Sequence, residues 1–241
     1  MTVPSPGNKP LQARTPVAKL SSQPVDPLER FIPLGLKVAL FLFCVLMLYQ
    51  ALDVFIYLTP RPQLPAPLSF IRMFIFLPMH EGGHMLFFWL GRTMSILGGS
   101  FWQIMFPLLS FAIALRQHST VVGPFALFWT GINMMDVSLY MRDAPHRILP
   151  LLGGHKSGHD WWNLFRAWDM MESAETIADL MYFGGVFVSG ISIMAGIGFA
   201  VYYYINPPPM KQKFYQDPKE STQEPISQSD LSTKATKGHE W

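Results

Sequence analysis

Hydrophobic residues in this chain gather into five long runs instead of alternating with polar ones. The runs cover residues 33–58, 68–90, 98–115, 121–141 and 179–205. Each meets or approaches the roughly 20 apolar residues that a helix needs to cross a bilayer core. They lack the strict one-in-two alternation of a barrel strand. Lipid offers the backbone no hydrogen-bond partner, so these runs predict α-helices. Pro78, Pro107, Pro124 and several glycines fall inside them, which membrane helices tolerate better than soluble ones. The pattern therefore predicts an all-α protein, a polytopic transmembrane bundle of about five spans occupying residues 31–205. Residues 1–30 are rich in Pro, Ser and Gln, have no apolar run and hold no signal-peptide core. Residues 206–241 open with Pro207-Pro208-Pro209 and then balance lysines against acids. Both ends read as disordered tails.

Composition sharpens this picture. Half of the residues are hydrophobic and 14% are charged, against roughly 25% charged in an average soluble domain. That excludes a disordered chain and argues against a soluble enzyme. The net charge of +2 creates no field to attract nucleic acid, so the expected partner is the lipid bilayer. The single cysteine, Cys44, excludes an internal disulfide and a cysteine-based zinc knuckle. Lysines and arginines between the runs lean weakly towards an inside N-terminus. Between the fourth and fifth runs, residues 160–168 mix tryptophans with charges. That mixture suits a helix lying at the membrane interface.

Where the scarce charge sits is more informative. Among the acids, Asp53, Glu81 and Asp136 lie inside the runs, where a charge costs several kcal/mol and needs a reason. Glu81 stands within His80-Glu81-Gly82-Gly83-His84. On a helix, His80 and His84 share one face four residues apart, so both imidazoles can reach one zinc. Glu81 is then placed to act as general base on water activated by that metal. His80 lies twelve residues past Leu68, about 18 Å along a helix and near mid-bilayer. Pro78 should loosen the helix just before it, and Gly82 and Gly83 remove bulk so that another element can come close.

A catalytic zinc usually keeps three protein ligands and one open position. The third ligand has several candidates. Asp160 could ligate directly. His159 could do so with Asp160 as its hydrogen-bond partner. Asp136, one turn after Asn133 in the fourth run, is the rival on the charge-cost argument. His155 and Asp53 read as solvent-facing, as do His118, His146 and His239.

The histidine motif inside an apolar run resembles the site-2-protease type of intramembrane zinc metallopeptidase. Further pieces are similar to a narrower set of bacterial membrane proteins. These are Gly98-Gly99-Ser100 with Gln103, then Asp136, Tyr140, Asp143 and Ala144, then Leu149 to Gly154 followed by His159-Asp160-Trp161. The resemblance covers roughly residues 70–165. It implies one zinc ion held by His80, His84 and a distant aspartate, here Asp160, with Glu81 activating water. It further implies an integral, multi-pass protein of the bacterial cytoplasmic membrane that cleaves a membrane-embedded or juxtamembrane peptide of another protein. The chain departs from the better-known pattern in having no Asn-Pro-x-x-x-Asp-Gly segment, although Asn133 and Asp136 fall near its expected place. Two other classes fit the same residues. A metal-holding membrane scaffold or assembly factor would close the metal with a fourth ligand. An ion or small-solute transporter would align acids on several helices.

Overall fold

A computed structural model describes residues 32–152 and 155–206. Regular structure among the described residues is helical, with no strand. The helices are α1 (Leu34–Val54), α2 (Ala66–Ile71), α3 (Leu77–Phe87), α4 (Arg92–Arg116), α5 (Val122–Arg142), α6 (Asp160–Ala167) and α7 (Ala174–Ile205). The tails expected at 1–30 and 206–241 lie outside the described residues, except for Asn206, which ends α7. Gly153 and Gly154 also lie outside them.

All five apolar runs are helical, but they are not equivalent. Helices α1 and α4, and α7 with the turn before it, are long and apolar enough to cross a membrane. Among the described residues, three of the five expected spans meet this criterion of length and composition. The other two runs fall short for different reasons. The second is broken into α2, a π-helical turn at Arg72–Phe76, α3 and a 3-10 turn at Phe88–Leu90. Pro78 accounts for much of this. It has no N–H for the carbonyl four residues back, and its ring crowds that carbonyl. The chain widens just before it, and the Leu77 N–H reaches back five residues to the Arg72 carbonyl. The fourth run, α5, is long enough but carries Thr130, Asn133, Asp136 and Ser138, all buried.

That polarity follows from position. Helix α5 packs against both α4 and α7, so its side chains face protein and not lipid. Phe128, Ile132, Met135 and Leu139 from α5 join Phe41, Met47 and Phe55 from the α1 segment in the main core. The outer faces are apolar instead. Met85, Leu180, Phe187 and Met194 are each 69 to 75% exposed. An apolar surface this extensive marks a surface made for contact with lipid.

Small residues let the central helices touch. A Cβ on Gly131 of α5 would lie 2.6 Å from the Gly185 carbonyl oxygen of α7, and one on Gly185 would lie 2.8 Å from Met135 Cγ. Such small-residue crossings hold membrane helices together through backbone contact. Gly131→Ala should therefore destabilise by about 1–3 kcal/mol, as overpacking does. Gly190→Ala is the control, since nothing lies within 4 Å of its Cβ position. Thermal unfolding in detergent should show a lower Tm for the first variant and an unchanged or slightly raised Tm for the second.

The amphipathic stretch after α5 forms α6, but its apolar face does not lie on the membrane. Trp161, Leu164 and Phe165 are buried against Val137 and Met141 of α5 and Ala174 and Ala178 of α7. Trp162 carries two cations over its ring, with the Arg147 and Arg166 guanidinium carbons 4.6 and 5.1 Å from its centre. The docked face fixes where the first residue of α6, Asp160, must be.

Candidate metal centre

His80 and His84 lie on the same face of α3, with ring centres 4.8 Å apart and ring planes nearly perpendicular. Both Nε2 atoms point at one oxygen. His80 Nε2 is 3.0 Å from Asp160 Oδ2, and His84 Nε2 is 3.3 Å from the same atom. The ligand atoms of the three residues lie within 4.8 Å of one another, so the group could hold a metal ion. Burial pushes the Asp160 carboxyl pKa up, but the hydrogen bonds and the charges of the two imidazoles together hold the group below its ordinary value.

Room for this convergence comes from α4. A Cβ on Gly99 would sit 2.7 Å from the Nε2 atoms of both histidines. A Cβ on Gly83 would drive into Gly98, 2.8 Å from its carbonyl carbon. These glycines let α3 and α4 meet backbone to backbone, with the imidazoles over the gap. We expect Gly99→Ala to lower cobalt or zinc uptake at least tenfold. Gly82→Ala, whose methyl would meet nothing within 4 Å, should leave uptake unchanged. Metal titration of the two purified variants checks this.

Asp160 is delivered from 80 residues away by its neighbours. His159 caps α6, its Nδ1 accepting from the Trp162 N–H at 3.2 Å. Nδ1 is then the bare nitrogen, so Nε2 carries the proton and donates to Asp143 Oδ2 at 3.1 Å. The Asp143 carboxylate also accepts from the Ile148 and Leu149 N–H groups. The His159 ring stacks on Tyr140, centres 4.3 Å apart. On the other side of Asp160, Trp161 Nε1 donates to Ser100 Oγ of α4 at 3.0 Å. The start of α6 is thus pinned to α5 and to α4, and Asp160 projects between the two pins.

The remaining expected residues divide clearly. His159 is fully buried with both nitrogens engaged, and stands outside the three-residue group. Asp136 is likewise outside it, and accepts from Arg72 Nε at 2.7 Å and from Gln103 Nε2 at 2.8 Å. Asn133 donates to the Trp129 carbonyl, and its own Oδ1 is buried without a partner. Glu81 is exposed and lines a cavity of about 650 Å³ together with His80, His84, Asp160, Tyr140 and Arg72. Apolar walls come from Met73, Phe76, Leu77 and the 149–152 segment. Asp53, His118, His146 and His155 are exposed, and His239 lies outside the described residues.

Two polar partners had no place in the sequence reading. His84 Nδ1 faces the Ser95 carbonyl at 2.8 Å. A carbonyl can only accept, so the proton of a neutral His84 sits on Nδ1 and leaves Nε2 bare for a metal. Arg72, inside the second apolar run, was overlooked. A cation within such a run needs a partner, and Asp136 is that partner for the half-buried Arg72. No family model, curated protein or solved structure matches the chain.

Proposed function

We propose that the protein is an intramembrane zinc-dependent peptidase of a multi-pass bacterial membrane type. One observation carries the reading: two histidine Nε2 atoms one helical turn apart converge on a single carboxylate oxygen, beside a glutamate in the same cavity. Two imidazoles and a carboxylate are a familiar donor set for catalytic zinc, and three ligands leave one position open. His80, His84 and Asp160 would hold the ion. Zinc bound there would supply Lewis acidity, bringing the ionisation of water near neutral pH and polarising a peptide carbonyl.

The chain's own groups do the rest. Glu81, which lines the cavity and forms no ion pair among the described residues, takes the proton from water and passes it to the leaving amine. The apolar walls suit an unwound stretch of a membrane-embedded or juxtamembrane peptide. A scaffold would need a fourth ligand, yet His159 is consumed by its cap and His155 is exposed. A transport path would want Asp53 in line with Glu81 and Asp136, but Asp53 is not among the cavity's lining residues.

The test uses the purified full chain in detergent and a library of synthetic single transmembrane segments. We expect one zinc per chain, and cleavage that chelation abolishes and zinc restores, read by mass spectrometry. A wild-type chain that carries no divalent metal and takes none up overturns the reading. So does cleavage indifferent to chelation.

A further inference from the structure

Resting on that zinc reading, we infer that Gln103, Asp136 and Arg72 form a positioning relay that fixes the proton of His80 on Nδ1 and so presents Nε2 to the metal. The relay runs from α5 through α4 to α3. Arg72 Nε donates to Asp136 Oδ1 at 2.7 Å. An aspartate so paired is a carboxylate, which can only accept. Its second oxygen, Oδ2, stands 2.8 Å from the Gln103 amide nitrogen. The Gln103 amide therefore cannot turn over, because its oxygen would then face a carboxylate oxygen. Held this way, it presents Oε1 to His80 Nδ1 at 3.1 Å. An amide oxygen also only accepts, so Nδ1 must be the protonated nitrogen. In a neutral His80 that leaves Nε2, the nitrogen facing Asp160, as the lone-pair atom a metal between the two would take.

Each link removes one freedom. Arg72 holds one oxygen of Asp136 in place, Asp136 sets the amide orientation, and the amide sets the tautomer. Gln103 and Asp136 are both buried. His84 has its own lock in the Ser95 carbonyl, so both histidines are presented in the tautomer a metal requires. Partners of this kind orient ligating histidines, and losing them typically weakens metal binding by about 10–100-fold.

The experiment is zinc titration of the full chain, with thermal unfolding of each variant with and without zinc. Gln103→Met keeps the volume and removes both hydrogen bonds. It should bind zinc about 10–100-fold more weakly and show a smaller zinc-induced rise in Tm. Gln103→Glu is the rescue. One proton shared between the introduced carboxyl and Asp136 preserves the link on one side and an acceptor for His80 on the other. Its affinity should stay within about threefold of wild type, against the 10–100-fold loss above. A merely structural role for Gln103 would shift apo Tm and leave the zinc increment alone. Wild-type affinity in Gln103→Met, or equal weakening in both variants, overturns the relay. If the wild-type chain itself binds no zinc, the reading of the site fails instead, so the two failures are distinguishable.

Discussion

His84→Ala is expected to leave a folded chain that no longer retains zinc through purification. The loss should exceed the roughly 10–100-fold that removal of an outer hydrogen-bond partner causes, because a donor atom itself is gone. His84 is only partly buried, and its side chain keeps about a quarter of its exposure. Truncation there therefore opens little internal void, and the apo Tm should move little. Zinc stabilises a folded protein in proportion to the logarithm of its concentration over Kd. The increment seen with the wild-type chain should vanish in the variant at the same zinc concentration. Asp160→Ala should behave in the same way towards zinc. It removes the oxygen on which both Nε2 atoms converge, yet α6 stays pinned through His159 and Trp161. Metal analysis beside the two melting curves checks both variants. Full zinc content in His84→Ala would end the zinc reading.

The sequence made some of this site legible and hid the rest, for identifiable reasons. The histidine pair could be read because helical spacing is local: four residues return the chain to the same face. The need for a partner could also be read, since ionisable groups in an apolar run are costly. The choice among Asp160, His159 and Asp136 could not. It turns on which side chains are used elsewhere. His159 is spent on a helix cap and on Asp143, and Asp136 on Arg72 and Gln103. Arg72 is a usable signal as well, because a cation in an apolar run is as costly as an acid. Counting both signs marks Arg72 as a cation that needs a carboxylate, and the fold supplies Asp136. The same local reasoning misjudged α6. Its aromatic, charged pattern predicts an amphipathic helix correctly, but no pattern says whether the apolar face meets lipid or protein. Nor does hydropathy separate a spanning helix from one screened by its neighbours, which is why α5 can carry Asn133, Asp136 and Ser138 at the centre of the fold.

Glu81→Gln should retain zinc and lose cleavage. The two side chains have nearly the same shape, and residue 81 is exposed to the cavity and outside the three-residue metal group. Neither packing nor ligation gives the substitution a route to damage. What changes is the ability to take a proton. An amide cannot accept one from water near neutral pH, so the step assigned to Glu81 loses its base. General base catalysis contributes about 10²–10⁴ in rate, and cleavage of the transmembrane-segment library should fall by that much at equal zinc content. Glu81→Asp is the informative intermediate. It keeps the base and shortens its reach by one methylene, so its rate should lie between the other two. That ordering separates loss of a proton acceptor from loss of a surface. If Glu81 only shaped the cavity, Gln would be the better replacement and Asp the worse. Cleavage by Glu81→Gln at the wild-type rate would remove the catalytic role and leave a metal-holding scaffold as the surviving account of the same three ligands.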